Sequence, residues 1–287
     1  SNATRRSNNK LWLDKNENIN SELIKLFKKI LNSFNYKFIS SYPELGELYS
    51  KIAKLEKLKI NNIFFSNGSD GCIKSVFDSF TKRDDKVITF HPTFAMYDIY
   101  PTIKFLRHIK INYLKKNEKI YLDLNDIISS IKKNKPKLVC FANPNSPTGT
   151  ILSDKEILKI IKISKKNKSN VLIDEAYFGF SSFTAKKYIK RYNNVLIVRT
   201  FSKYWGLAGL RLGYVLSSKK NIDLLNKMRP MYEINNFGAE FLLNLLNKKN
   251  MQTIEKINKS LFKGKNLLIN YFKKNNIEYL ESYANFL

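Results

Sequence analysis

"NNVLIVRTFSKYWGLAGLRLGYVLSS", residues 193–218, is the stretch whose reading decides the fold. Its run from Val195 to Val198 is apolar without interruption and rich in β-branched residues, as in a strand covered on both faces. Polar residues follow at Ser202 and Lys203. The chain loosens through Gly206 and Gly209 and presents Arg211 before a second strand-like run, "LRLGYVLSS", begins. A lysine at the end of an apolar strand is partly stripped of water, and a second cation nearby disfavours its charge further. Both effects depress its pKa and make it an amine nucleophile. Arg211 is that second cation, and its planar fork suits a phosphate.

The flanking sequence alternates strand and helix in the same way. "NNIFFSNGSDGCIKSVFDSF" (61–80) reads as a strand, a glycine turn and an amphipathic helix. "DKVITFHPTFAMYDIY" (85–100) holds a strand stopped by Pro92, and "KPKLVCFANPNSPTG" (135–149) a β-rich run followed by a proline-rich loop. "SDKEILKIIKISKKN" (153–167) opens on a Ser-x-x-Glu capping box and keeps helical spacing, and "NVLIDEAYFGF" (170–180) starts with a strand. Buried strands separated by helices predict an α/β fold, a mostly parallel sheet with helices on both faces. Residues 215–275 read as mainly helical, and "IEYLESYANFL" (277–287) as the start of a strand that stops inside an apolar run, so that more chain is expected beyond it.

At 287 residues the chain has room for one large or two smaller domains. The expected division is a large α/β domain over residues 35–230 and a smaller α+β domain built from 4–34 and 231–287. Ser1-Asn2-Ala3 reads as a remnant of tag removal. The formal net charge of +27 invites a nucleic-acid reading, but lysine pairs recur along the whole chain, from Lys28-Lys29 to Lys273-Lys274. Lysine is therefore the default surface residue here, and no nucleic-acid partner is expected. No apolar stretch approaches the roughly 20 residues of a spanning helix. Cys72 and Cys140 lack metal-ligand spacing and sit in apolar segments, which fits core residues in a reducing, cytoplasmic setting.

The strand-like runs end in polar or glycine residues: Asn67-Gly68-Ser69-Asp70, His91-Pro92-Thr93-Phe94, Asn143-Pro144-Asn145-Ser146, Asp174-Glu175-Ala176-Tyr177 and Ser202-Lys203. In an open parallel sheet these ends share one rim, where ligands bind. Gly68 to Gly71 before a helix suit a phosphate or an ordinary cap. Asp174 and Glu175 fit a metal pair, half of an acid/base couple, or an acid that holds a proton on a cationic ring nitrogen. The only histidines, His91 and His108, are far away in sequence, so no metal is expected with them. Phe94 and Tyr177 suit stacking or a phenol hydrogen bond. A lysine, a buried acid, an aromatic face, an arginine and a helix N-terminus are together what pyridoxal 5'-phosphate asks of a protein.

With these motifs in this order the chain resembles the class I/II pyridoxal-phosphate aminotransferases, most closely the histidinol-phosphate aminotransferase group. The resemblance rests on "LDKNEN" (13–18), "SYPELGELYSKIA" (41–53), "NGSDGCI" (67–73), "HPTFAMY" (91–97), "NPNSPTG" (143–149), "DEAYFGF" (174–180), "RTFSKYWGLAGLRLGY" (199–214) and "SYANFL" (282–287). It implies the fold type I of these transferases, with Lys203 as the Schiff-base lysine and proton shuttle and Asp174 on the pyridine nitrogen. Tyr177 would meet the ring hydroxyl, with Ser146 or Asn145 beside it, and Phe94 the ring face. Ser69, Asp70, Ser202 and Arg211 would hold the phosphate. It further implies a homodimer in which Tyr42 reaches the partner's site. Phe94 stands where tyrosine is common, Ser146 where asparagine is, and Gly71 where glutamate is.

The implied reaction moves an amino group from a donor such as glutamate to a phosphorylated or otherwise anionic keto compound. Decarboxylation of a phosphorylated serine or threonine on the same lysine and aspartate is the alternative. A basic, non-enzymatic binding protein on the same fold is the third reading, opposed by the intact Lys203, Asp174 and Arg211.

Overall fold

The computed structural model describes residues 12–116 and 119–287. The expected tag remnant and residues 4–11 of the expected small domain lie outside the described residues. The strands are β1 (Ile63–Asn67), β2 (Lys86–His91), β3 (Arg107–Asn112), β4 (Leu114–Lys116), β5 (Lys119–Tyr121), β6 (Leu138–Ala142), β7 (Asn170–Asp174), β8 (Val195–Thr200) and β9 (Leu212–Ser217). The helices are α1 (Ser21–Asn32), α2 (Gly46–Glu56), α3 (Gly68–Phe80), α4 (Met96–Ile103), α5 (Leu124–Asn134), α6 (Asp154–Lys166), α7 (Lys219–Asn226), α8 (Asn236–Leu245) and α9 (Lys248–Lys274).

The main sheet runs β1-β9-β8-β7-β6-β2-β3, and β4 pairs with β5 in a separate ribbon. Every main-sheet strand is parallel to the others except β9, which is antiparallel to β8 and β1. Strands β6, β8 and β9 are buried at every position because helices cover both faces. Alternate residues feed two cores. Phe65, Val139, Ile173 and Ile197 face a cluster shared with α1, α2, α5, α6, α8 and α9. Phe64, Cys140, Leu172 and Leu196 face one shared with α3, α4 and α7. The expected architecture, a mostly parallel sheet with helices on both faces, is present. The capping box forms as its spacing predicts, with Ser153 and Glu156 each bonding the other's backbone N–H.

The direction of β9 positions the site. Only residues 201–211 link it to β8, too few for the crossover that a parallel neighbour needs, so the chain turns back. Its first residue, Leu212, therefore lies beside Asn67 at the rim where β1, β7 and β8 end. Arg211 precedes it and is delivered to that rim.

Residues 277–287 form no strand. This corrects the sequence expectation: a single backbone bond, Tyr283 N–H to Gly149 C=O (2.8 Å), ties the segment to the loop after β6, where a ladder would be needed. Strand β3 escapes sequence reading because, at the sheet edge, its alternating polar pattern "RHIKIN" is half solvated. Among the described residues no helix is long and apolar enough to cross a membrane.

Candidate active site

A cavity of about 350 Å3 opens at the rim. Ser69 and Asp70 of α3 form one end of it, with Arg211, and Ser202 and Lys203 line it after β8. Asp174, Ala176 and Tyr177 come from the turn after β7, Phe94 and Ser146 from the loops after β2 and β6, and Lys15 and Glu17 from the N-terminal segment. The topology thus brings together segments spread over almost 200 residues of chain.

Lys203 is half-buried, and its Nζ donates to the Lys15 carbonyl. Burial lowers its pKa, Glu17 works in the other direction, and Arg211 lowers it further, as the sequence led us to expect. Asp174 is buried at the end of β7. Its Oδ1 accepts from the Ala176 N–H (2.9 Å) and its Oδ2 from the Tyr97 hydroxyl (3.2 Å). Burial raises its pKa to about 6 against these two hydrogen bonds and the more distant charge of Lys203. The Tyr177 hydroxyl accepts from Asn16 Nδ2 (3.1 Å) and shares a hydrogen bond with Ser146.

The other end of the cavity is built for an anion. Helix α3 begins at Gly68, and Asn67 at its N-cap makes no side-chain hydrogen bond to the first N–H groups. Those groups carry the positive end of the helix dipole. Gly68 has φ +73°, and a Cβ there would sit 2.7 Å from an Arg211 guanidinium nitrogen. A Cβ on Gly213 would sit 2.4 Å from the Gly68 carbonyl carbon, so two glycines let β9 and its arginine press against the helix start. The Asp70 carboxylate is engaged by Tyr100, whose hydroxyl donates to its Oδ1 at 2.6 Å. Ser202 is held by Thr200, whose Oγ1 donates to its hydroxyl oxygen (2.9 Å) and accepts from its N–H (3.1 Å).

One expected residue, Asn145, stands elsewhere, and Tyr42, expected at the partner's site, lies outside this cavity. Asn145 is buried behind the cavity wall, where its amide donates to the Pro92 carbonyl and to Thr148 and accepts from Thr93. It braces the loops after β2 and β6 and does not line the cavity. Tyr42 is 74% exposed, lines no part of its own chain's cavity, and stacks on Tyr232 with centroids 4.3 Å apart. Glu175, paired with Asp174 in the sequence reading, turns the other way. Its carboxylate accepts from Arg199 Nε (3.0 Å) and Nη2 (2.8 Å), while Arg199 Nη1 donates to both oxygens of Glu56. Sequence reasoning missed Tyr97 and Asn16, which sit inside quoted motifs but look there like ordinary apolar and loop positions.

The family described as "Aminotransferase class I and II" matches residues 8–287. The chain belongs to this family. As a member it is an aminotransferase that works with pyridoxal phosphate. Histidinol-phosphate aminotransferase of Caldanaerobacter subterraneus subsp. tengcongensis is 32% identical over 283 residues, covering 97% of this chain and 78% of the relative. Its counterpart in Thermoanaerobacter sp. strain X514 is 33% identical, covering 93% of this chain and 73% of the relative. The solved histidinol-phosphate aminotransferase of Sinorhizobium meliloti, in complex with pyridoxal-5'-phosphate, superposes with a TM-score of 0.81 at 18% identity, covering 94% of this chain and 72% of that one.

Proposed function

We propose that this aminotransferase acts on histidinol phosphate or a similar phosphorylated amine, exchanging its amino group with the glutamate/2-oxoglutarate pair. The observation that carries the reading is one cavity with a depressed lysine and a buried aspartate held by neutral donors at one end and an uncapped helix N-terminus with Arg211 at the other. Similarity to histidinol-phosphate aminotransferases supports the substrate class.

The residues present fit pyridoxal phosphate. Bound there, the cofactor supplies an electron sink for the α-carbon of the substrate. Lys203 Nζ, neutral for a larger fraction of the time than a solvated lysine, would hold the cofactor and move the proton at the substrate α-carbon. Asp174, whose pKa burial raises, would hold the proton on the ring nitrogen, and that N–H would offset the cost of burying its charge. Tyr177 Oη would meet the ring hydroxyl with Ser146, and Phe94 would offer its ring for stacking. Ser69, Ser202, Arg211 and the first N–H groups of α3, including that of Asp70, would hold the phosphate.

The same reading includes a homodimer in which Tyr42 reaches the partner's site, and a division into a large part (35–230) and a small part. Exposed Tyr42, Tyr232 and Met231, clustered around the Tyr42–Tyr232 stack, support a covered surface there. Free, buried Cys72 and Cys140 support a reducing, cytoplasmic setting.

The test is the visible spectrum of the reconstituted enzyme, read with glutamate and then with histidinol phosphate, and the assay of glutamate formed from 2-oxoglutarate. Spectral change with both amines and stoichiometric glutamate support the proposal. Release of carbon dioxide from phosphoserine or phosphothreonine, with no glutamate formed from histidinol phosphate, overturns it.

A further inference from the structure

The two histidines, far apart in sequence, meet in space. His91 ends β2, His108 lies on its parallel neighbour β3, and Asp98 projects from the first turn of α4. His91 Nδ1 stands 3.6 Å from Asp98 Oδ2, and His108 Nδ1 stands 3.8 Å from Asp98 Oδ1. One donor atom from each of the three residues lies within 4.8 Å of the other two. We infer that His91, His108 and Asp98 form a binding site for a divalent transition ion such as Zn2+, outside the cofactor cavity.

The spacing favours an ion over a simple hydrogen-bonded cluster. Both imidazole–carboxylate distances exceed hydrogen-bond length. Two ligands at about 2.0–2.1 Å from a tetrahedral ion stand roughly 3.3 Å apart, so a small closure of these side chains completes the coordination. The other side of each ring is already set. Nε2 of His91 and Nε2 of His108 both lie 2.6 Å from the hydroxyl of Thr89, which is fully buried between them. A hydroxyl has two acceptor lone pairs. It can therefore accept an N–H from each ring at once, which is the state both rings take when both Nδ1 atoms carry a metal. An outer-shell acceptor of this kind fixes ring orientation and tautomer in metal sites.

The donor set sorts the candidates. Two imidazoles and one carboxylate suit zinc, cobalt or nickel and disfavour magnesium and calcium, which prefer oxygen ligands. The Asp98 side chain is 41% exposed, so a water could approach from its outer side as a fourth ligand. Lys110 is the competitor: its ammonium ion-pairs with Asp98 Oδ1, and its side chain is half exposed. The site also abuts functional elements, since His91 opens the loop that carries Phe94 and Asp98 follows Tyr97, the hydrogen-bond donor to Asp174.

Titration of the holoenzyme with Co2+, in the absence of amino acids, reads the site through the visible d–d bands of a tetrahedral ion. The chain has only two histidines, so imidazole 15N spectra follow each of them. The expected result is one equivalent of Co2+, displaced by Zn2+, with both imidazoles shifted. His108→Ala and Asp98→Asn should each weaken binding by at least the ~100-fold that outer-shell changes reach, and Thr89→Val by about 10–100-fold. Lys110→Gln, a surface change, should tighten it several-fold. Asp98→Asn keeps the size of a part-exposed side chain, so its result stands even where a histidine variant folds poorly. The inference is overturned if neither the native nor the Lys110→Gln protein takes up an equivalent of Co2+, or if Asp98→Asn and His108→Ala bind it as tightly as the native protein.

Discussion

Asp174 and Glu175 are adjacent, and both are buried, yet their surroundings differ in kind. Glu175 belongs to a closed ionic network. Arg199, 1% exposed, bonds Glu175 and Glu56, Lys186 also reaches Glu56 (2.9 Å), and Tyr214 donates to Glu56 at 2.7 Å. Two cations balance two carboxylates, and the Arg199 guanidinium lies 3.4 Å from the centroid of the Phe178 ring. Burial pushes the Glu56 pKa up, but Arg199 and Lys186 overrule it and hold the group below the usual carboxylate range. Asp174 receives only neutral donors, and burial wins. A buried carboxylate with its cation in place is structural. One held only by neutral donors, as Asp174 is, is a candidate for a ligand's charge.

The largest effect should separate the two regions by activity alone. Lys203→Ala removes the amine proposed to move the α-proton, and amino transfer from glutamate in a single turnover should slow by about 10³-fold or more. Because Lys203 is a partly desolvated cation with one backbone acceptor, urea unfolding should show no loss of stability. A large stability loss would place Lys203 in the structural network instead.

Arg199→Met breaks the other region. It leaves Glu56 and Glu175 buried without their main partner, at a cost of about 3–5 kcal/mol. Urea denaturation should read that loss directly. In the fraction that stays folded and holds cofactor, the single-turnover rate should change far less than in Lys203→Ala, since Arg199 lines no part of the cavity.

The pair also shows what a sequence can and cannot display. The sheet was legible because strands buried on both faces must be apolar at every position, as in "LVCFA" and "VLIVRT". The rim was legible because such strands can turn polar only where they end. Direction was not written in the residues of β9, since a buried strand has the same composition either way; the short link from β8 decided it. The segment 277–287 looked like a strand because it is apolar, although apolar contact alone, without a ladder partner, explains its composition. The divergence of Asp174 and Glu175 depends on Arg199 and Glu56, far off in sequence. So does the pairing of His91 with His108, which sequence distance concealed.

Asp174→Asn tests the missing cation through pH. The folded pKa of Asp174, about 6, is above its unfolded value near 4. A raised pKa stabilises the fold fully below pH ~4, and that contribution disappears as pH rises through 6. Two units correspond to roughly 3 kcal/mol. The cofactor-free Asp174→Asn protein should lack this part of the pH dependence and be more stable than the native protein at pH 8. Glu56, with its lowered pKa, acts in the opposite sense, and its contribution is lost only as pH falls through its folded value. If the native and Asp174→Asn proteins lose stability in parallel between pH 5 and 8, Asp174 is already paired and the contrast fails.

The smallest expected effect concerns the edge of the cavity. The Tyr177 ring packs edge-on against Phe286 at 5.3 Å and lies 5.8 Å from Lys203 Nζ, contacts that phenylalanine keeps. Only the hydroxyl is lost in Tyr177→Phe, and with it the bond from Asn16 and the one shared with Ser146. Both partners reach solvent in the open cavity, so stability should be unchanged. Loss of the proposed hydrogen bond to the cofactor ring should weaken its retention by about 1 kcal/mol, roughly fivefold in the dissociation constant. Equilibrium dialysis of pyridoxal phosphate measures this. A loss of a hundredfold or more would mean that Tyr177 carries charge in the complex, and the phenol would then join Asp174 as a group whose partner arrives with the ligand.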